Sequence, residues 1–252
     1  MARNLFQTAA RIATVRHMKI QHLDHSCLLV DISGARILID PGNFSASKVR
    51  EIAPTGLDAV IITHQHADHC DTDLLSEILA ANPRAAVLAE PEAAAQIVGQ
   101  ADGPAAGPGQ APARGKEVVP LPAGSSYQVG QVKVSAIGGL HAVIHPDIPR
   151  VGNSGLVIEA PDEKRLGVTG DSLVPEPEFQ DIDVLAFAVV APWSKMSETI
   201  DFLRNTRPRI ALPVHEGIVN QNGRPIFLTQ ATNLAPDATQ VRDWPEDGIV
   251  II

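Results

Sequence analysis

Short apolar runs recur along the chain, and Gly, Pro or charged residues interrupt them. The runs at 27–32 and 36–40 are separated only by the Ser33-Gly34 turn, so they predict a β-hairpin. Over 71–81, leucine and isoleucine recur at helical spacing instead. The alternation of the two patterns predicts an α/β protein rather than an all-β barrel.

The same reasoning covers most of the chain. Apolar or alternating runs predict strands over residues 19–23, 27–32, 36–40, 57–62, 86–89, 118–121, 127–129, 132–137, 153–159, 165–168, 184–190, 210–214 and 248–252. Helical spacing predicts helices over residues 45–52, 71–81, 91–98 and 197–205. From residue 220 onward the chain is rich in Pro and Asn, and the final strand is the only element predicted there.

Two segments lack the signature of a packed element. Residues 1–17 are basic and mildly amphipathic, and they lack the continuous apolar stretch of a secretory signal, so we expect an N-terminal extension and no export. Residues 99–117 are rich in Gly, Pro and Ala without periodicity, which predicts a surface loop. Because the same chemistry continues beyond this loop, we expect residues 18–252 to form a single domain.

Composition narrows the classes of function. The chain has 252 residues, of which 44% are hydrophobic and 19% charged, which is ordinary for a globular protein. A net charge of −9 argues against a nucleic-acid-binding surface. No apolar run approaches the roughly 20 residues that span a bilayer. The two cysteines, Cys27 and Cys70, do not suggest a disulfide scaffold, so a reducing cytoplasm is predicted.

The strongest chemical signal is the segment 63–71, which directly follows the apolar run at 57–62. It contains the pattern His-x-His-x-Asp-His, formed by four residues: His64, His66, Asp68 and His69. Neutral imidazole and carboxylate groups are preferred ligands of zinc, iron and manganese. A strand that ends in such a cluster predicts a catalytic metal site.

Further metal-ligand side chains follow other predicted strands. Asp40, His141, Asp171 and His215 each lie just past an apolar run, and such strand ends can converge on one edge of a sheet. His145 competes with His141 for the same position. We favour His141 because it lies closer to Gly138-Gly139, where the predicted strand ends.

Taken in order, these motifs resemble those of the metallo-β-lactamase superfamily of metal-dependent hydrolases. Within it, the chain resembles the branch of ascorbate-6-phosphate lactonase-like proteins and short bacterial metal-dependent hydrolases. The motifs that carry this narrower resemblance are His25-Ser26-Cys27, Gly170-Asp171-Ser172 and Pro213-Val214-His215-Glu216-Gly217.

The resemblance implies an α/β fold, the αβ/βα four-layer sandwich, with two divalent metal ions at one edge. His64, His66 and His141 would hold the first ion, and Asp68, His69 and His215 the second. Asp171 would bridge the two, whereas Asp40 would support the motif loop by hydrogen bonding. Zinc is the leading candidate, with manganese or iron as alternatives.

Four other residues are candidate substrate contacts: His25, His145, Trp193 and Lys195. His25 is equally well explained as a buried polar group near the site. Trp193 and Lys195 are equally well explained as a rim tryptophan and a solvated lysine. Cys70 follows the last ligand of the cluster, and we expect it to pack in the core.

These observations predict a metal-dependent hydrolase in which a metal-bound hydroxide attacks an ester, lactone or phosphoester bond of a small anionic substrate. Asp68 would orient the nucleophile or carry a proton to the leaving group. Two alternatives remain: a mononuclear-iron dioxygenase of the same fold, and a non-enzymatic protein that binds a metal or ligand. A nuclease is disfavoured because the chain lacks a basic tract. Self-association is compatible with the resemblance.

Overall fold

A computed structural model of the protein describes residues 17–101 and 116–252. The predicted extension over 1–17 therefore lies outside the described residues except for His17, and the predicted loop over 99–117 is described only at its two ends. Within the described ranges, no helix is long and apolar enough to cross a membrane.

The described residues form two mixed β-sheets of seven strands each. The strands are β1 (Lys19–His22), β2 (Leu28–Ile32), β3 (Ala35–Ile39), β4 (Ala59–Ile62), β5 (Ala86–Ala89), β6 (Val118–Pro120), β7 (Ser126–Val129), β8 (Val132–Leu140), β9 (Gly152–Glu159), β10 (Leu166–Val168), β11 (Val184–Ala188), β12 (Ile210–Val214), β13 (Gln240–Val241) and β14 (Ile249–Ile251). The helices are α1 (Ala46–Ile52), α2 (Thr72–Ala81), α3 (Pro91–Ala101), α4 (Met196–Thr206) and α5 (Arg224–Leu234).

The two sheets share one plan. The strand order is β14-β1-β2-β3-β4-β5-β6 in the first and β13-β12-β11-β10-β9-β8-β7 in the second. Pairing is antiparallel from β14 to β3 and from β7 to β10, and parallel over the rest of each sheet. Parallel neighbours need crossover connections, and all five helices lie in such connections. The carboxyl ends of the parallel strands therefore form one edge in each sheet.

The sheets pack face to face, and helices cover their outer faces. On β2, Leu28 and Val30 face the core between the sheets, whereas Leu29 faces the core beneath α1, α2 and α3. A third core lies between the second sheet and helices α4 and α5. Strands buried on both faces are apolar throughout, which explains the continuous runs in the sequence. The predicted four-layer α/β sandwich is confirmed.

Two elements differ from the prediction. Helix α5 (Arg224–Leu234) and strand β13 occupy the Pro- and Asn-rich segment where neither was predicted. Helix α5 buries only Ala231 fully, so its apolar periodicity is weak, and its proline lies in the first turn, where no backbone N–H is needed. Strand β8 also continues through Gly138-Gly139, because these glycines pair with Ser154 and Asn153 of β9.

Helix α4 provides a test of the outer core. Phe202 is 2% exposed and meets Phe179 edge to face, with ring centroids 6.4 Å apart. We expect Phe202→Ala to lower the free energy of unfolding by about 3–5 kcal/mol, because the cavity cannot collapse fully between helix and sheet. Urea denaturation would measure the change. The exposed neighbour Asn205→Ala should stay within about 0.5 kcal/mol of the parent; equal losses in both variants would contradict this packing.

Candidate metal centre

The loop after β4 brings the histidine cluster to the edge of the first sheet. Thr63 directly follows the strand, and the next residues form a tight turn in which the N–H groups of His69 and Cys70 donate to the carbonyl of His66, at 3.0 and 2.8 Å. Asp71 then begins α2 by accepting hydrogen bonds from the backbone N–H groups of its first turn. The turn places His64 and His69 side by side, with ring centroids 4.0 Å apart.

Asp40, at the end of β3, holds this loop in place. Its fully buried carboxylate accepts hydrogen bonds from Thr63 N–H and Thr63 Oγ1, both at 2.7 Å, and from His69 Nδ1 at 2.8 Å. The predicted supporting role of Asp40 matches this geometry. Gly42 allows the close approach, because a Cβ there would overlap the carbonyl of Asp68.

Four buried histidines are oriented by a hydrogen bond at Nδ1. His69 bonds to Asp40 Oδ2, His141 to the carbonyl of Ala142 at 2.6 Å, and His215 to the carbonyl of Val190 at 2.9 Å. His64 Nδ1 lies 3.1 Å from Thr63 Oγ1, whose own proton goes to Asp40, so this hydroxyl accepts. With Nδ1 protonated, each neutral ring presents the lone pair of Nε2.

Three of these four Nε2 atoms have no hydrogen-bond partner among the described residues. The Nε2 atoms of His64, His69 and His215, together with Asp171 Oδ1, are buried side-chain atoms that lack a hydrogen bond among the described residues. A buried polar atom without a partner destabilises the fold by about 1–3 kcal/mol. Imidazole nitrogens that converge on a buried carboxylate are a donor set that a metal cation can satisfy. The donor set therefore fits divalent metal ions.

The potential ligands fall into two groups whose ligand atoms lie within 4.8 Å of one another. His64, His66, His141 and Asp171 form the first group, and His25, Asp68, His69 and His215 form the second. Asp171 reaches both, because Oδ2 lies 3.2 Å from His141 Nε2 and Oδ1 lies 3.1 Å from His69 Nε2. The structure thus brings all seven predicted ligands close together, and it adds His25 to the second group.

Burial and neighbouring charges set the protonation of these groups. Burial, together with the nearby His69, holds the pKa of His64 well below its usual value, so His64 is neutral. Burial raises the pKa of Asp171, but the surrounding histidines, His69 first, outweigh it and hold this pKa well below its usual value. Burial lowers the pKa of His69, but Asp171 and Asp40 outweigh it and raise this pKa well above normal. Metal binding at His69 would therefore displace a proton.

Comparison with known proteins agrees with this arrangement. A protein-family model described as a beta-lactamase superfamily domain matches residues 19–215. The chain belongs to the metallo-β-lactamase superfamily of metal-dependent hydrolases. Its match to the family model ends at His215, so all seven predicted ligands lie inside the matched region.

Several known proteins are similar to this chain. Protein Rv0786c of Mycobacterium tuberculosis is 37% identical over 92% of this chain and 99% of its own. A UPF0173 metal-dependent hydrolase of Xanthobacter autotrophicus is 31% identical over 62% of each chain. The structure of Igni18, a metallo hydrolase of Ignicoccus hospitalis, matches with a TM-score of 0.65 at 19% identity, covering 94% of this chain and 98% of its own. At that identity the likeness concerns the fold alone.

His25 lies in the second group but is not free to act as a ligand. Its Nδ1 accepts a hydrogen bond from Gly217 N–H at 3.1 Å, so the proton of the neutral ring is on Nε2. Nε2 lies 3.1 Å from Asp68 Oδ2, to which it donates. Of the two interpretations left open for His25, the structure matches the buried polar group beside the site. Asp68 is thereby held in one orientation while its side chain remains 24% exposed.

The other candidate substrate contacts lie at different distances from the centre. Trp193 is half-buried, and its Nε1–H donates to Asp171 Oδ2 at 2.9 Å. Lys195 points into solvent with its side chain 80% exposed, 3.8 Å from Glu198. His145 is also exposed and pairs with Asp147, so the structure brings His141 rather than His145 to the centre. Cys70 is buried in the core beneath α2, as predicted, and burial raises the pKa of its thiol to about 12.

Sequence reasoning missed several supporting residues. Thr63 links Asp40 to His64, and Asn153 Oδ1 accepts a hydrogen bond from Asp171 N–H at 2.9 Å. His22 Nε2 donates to the carbonyl of His25 at 2.8 Å, and the His22 ring stacks on Trp244. The position of Thr63 directly before the cluster was a usable signal. The stacking of His22 on Trp244 and the bond between Asn153 and Asp171 join residues that are distant in the chain, so no local pattern indicates them.

Replacing Asp40 tests the orientation of His69. In Asp40→Asn an NH₂ group replaces one of the two carboxylate oxygens. An NH₂ group cannot accept a hydrogen bond, so at least one of the three bonds from Thr63 and His69 is lost. We expect the zinc affinity of the second ligand group, which contains His69, to fall about 10- to 100-fold. Competition with a chelator would measure this affinity. Asp58→Asn changes a carboxylate at the opposite end of β4, which accepts from Arg36 N–H, and serves as the control. Equal zinc affinity in both variants would contradict the assigned role.

Gly42→Ala tests the packing of the ligand loop. The added methyl overlaps the backbone of Asp68 and His69, so we expect a loss of about 3 kcal/mol in unfolding free energy, together with weaker metal binding. Gly99→Ala, in α3, has open space around the added Cβ and should be neutral or stabilising by up to about 1 kcal/mol. Chemical denaturation and metal analysis would measure both effects. An unchanged Gly42→Ala protein would mean that the loop backbone yields easily.

Proposed function

We propose that the protein hydrolyses an ester, lactone or phosphoester bond of a small substrate with two divalent metal ions, zinc in the first instance. The observation that carries this proposal is the convergence of partnerless, buried Nε2 atoms with both oxygens of Asp171. His64, His66 and His141 would hold one ion, Asp68, His69 and His215 the other, and Asp171 would bridge them. Because these ligands come from both sheets, residues 18–252 would act as one domain.

Bound metal ions would lower the pKa of a water molecule to near neutrality and polarise a substrate oxygen. The surrounding side chains supply the remaining functions. Trp193 Nε1–H donates to Asp171, which fixes the carboxylate between the two groups. The bonds at Nδ1 hold the imidazoles so that little reorganisation is needed during the reaction.

Asp68 is suited to move a proton. Its side chain is 24% exposed, whereas Asp171 is 4% exposed and Asp40 fully buried, so Asp68 is the carboxylate of the centre that reaches solvent. The N–H of His25 holds Asp68 Oδ2 in place. We therefore assign Asp68 to accept a proton from the nucleophile and to pass it to the leaving group, with His25 as its positioning residue.

The structure bears on the alternative activity and on the charge of the substrate. The complete second group of ligands disfavours a mononuclear-iron dioxygenase. Arg150, whose Nε donates to the carbonyl of His141, is the cation on the loop beside the first group and a candidate partner for an anionic substrate. The ascorbate-6-phosphate lactonase-like branch, cytoplasmic location and self-association stay predictions.

Removing one ligand tests the proposal directly. His66→Ala should release metal from the first group and reduce turnover at least about a hundredfold across lactone, phosphodiester and thioester substrates. Elemental analysis gives the metal content, and initial rates give the activity. His17→Ala, an exposed histidine outside the centre, should retain both ions and full turnover. Full activity in His66→Ala would sink the proposal.

A further inference from the structure

Exposed apolar side chains lie on the loops beside the candidate metal centre. The loops that carry or contact the proposed ligands present six large apolar side chains that are 37–54% exposed: Phe44, Val143, Ile144, Ile148, Val174 and Ile218. We call these six residues the apolar rim. Exposed apolar residues scattered singly need no explanation, but these lie on loops that meet at one site.

The segment 141–151 contributes half of the apolar rim. It is fastened at its base, where His141 N–H donates to the carbonyl of Val151 at 3.1 Å and Ala142 N–H donates to the carbonyl of Asp171 at 2.8 Å. Val143 and Ile144 follow directly. A turn closed by Ile148 N–H and the carbonyl of His145, at 3.0 Å, completes the segment. Its apolar side chains thus lie next to ligands but remain unburied.

The other three members are tied to the centre in the same way. Phe44 meets His25 edge to face, with ring centroids 5.0 Å apart, and the N–H of the preceding residue, Asn43, donates to the carbonyl of Ala67. Val174 N–H donates to Ser172 Oγ, beside Asp171. Ile218 belongs to the 3-10 turn directly after His215. All four loops therefore present apolar surface beside the metal-binding groups.

Three basic side chains near the centre have protein partners but remain exposed to solvent. His145 pairs with Asp147, and Lys195 pairs with Glu198, each within 4 Å. Arg150 donates to the carbonyl of His141. Ligand sites are generally lined by apolar side chains, with a few polar groups that fix orientation. Here the polar groups of the centre are flanked by the apolar rim and also by exposed polar side chains such as His145 and Asp147.

We propose that the substrate carries an apolar group, such as an alkyl chain of four or more carbons, which packs on the apolar rim while its reacting bond lies at the metal centre. This inference rests on the proposed hydrolase function. For an acyl ester, the oxygen of water joins the acyl carbon, the bond from that carbon to the alcohol oxygen breaks, and the alcohol leaves with a proton. The apolar chain takes no part in these steps and contributes binding.

A series of acyl esters tests the chain-length dependence. The zinc-loaded full-length protein would be assayed with p-nitrophenyl acetate, butyrate, hexanoate and octanoate. Each methylene that leaves water should raise kcat/KM by about two- to fourfold, so octanoate should exceed butyrate at least about tenfold. Calorimetric titration with butyrate and octanoate ions gives a second measurement that requires no turnover, and octanoate should bind at least about tenfold more tightly.

Matched variants assign the effect to the rim. In Val143→Ser/Ile144→Ser the octanoate-to-butyrate ratio should fall to about threefold or less, because the chain then meets polar surface. Ile251→Ser is the control: Ile251 is 52% exposed and pairs with Lys19 at the far end of β1. The ratio should be unchanged in this control.

The outcomes separate this inference from the proposed function. Turnover of all esters with no dependence on chain length, in rate or in binding, would overturn the inference and leave the hydrolase proposal intact. Tighter binding of octanoate without turnover of any ester would support the apolar site and count against hydrolysis. If the double variant changed the oligomeric state by light scattering while keeping the parent's ratio, the rim would be a contact between copies, and the inference would be overturned.

Discussion

The buried carboxylate of Asp40 connects the fold to the chemistry of this protein. It ends β3, accepts two hydrogen bonds from Thr63 at the end of β4, and accepts a third from His69 within the ligand loop. These bonds are formed away from water, where an unpaired carboxylate would be strongly destabilising. Their geometry aims Nε2 of His69 and, through Thr63, Nε2 of His64. Two neighbouring parallel strands therefore determine how the first ligands point.

The second sheet completes the centre by the same principle. His215 follows β12, Asp171 follows β10, and Trp193 lies beyond β11, all at carboxyl ends of parallel strands. Because the two sheets share one plan, their ligand-bearing edges meet across the central core. The lone pairs that converge there would oppose folding without a cation, so metal binding and the stability of this edge are expected to be coupled. The same loops carry the apolar rim.

Prediction from sequence succeeded where the signal was local. The apolar run before residues 64–69 indicated the strand, and the spacing of these residues indicated candidate ligands, which the structure brings close together. Prediction was less successful where tertiary packing, rather than local sequence, determines the structure. Helix α5 was missed because only Ala231 is fully buried. His25 could not be assigned, since its partners Asp68 and Gly217 lie 43 and 192 residues away in the chain. Lys195 was a reasonable candidate that the structure leaves in solvent.

The sequence by itself determined the residue types of the centre, the apolar strands that precede them and membership of a known family. Those properties are encoded in short segments of the sequence, because strand periodicity and ligand spacing are local. Only the tertiary structure decided which nitrogen of each histidine faces the centre, how Asp171 reaches both groups and which apolar residues surround them. Each of these depends on hydrogen bonds and packing between strands distant in sequence, and neither spacing nor composition specifies such contacts.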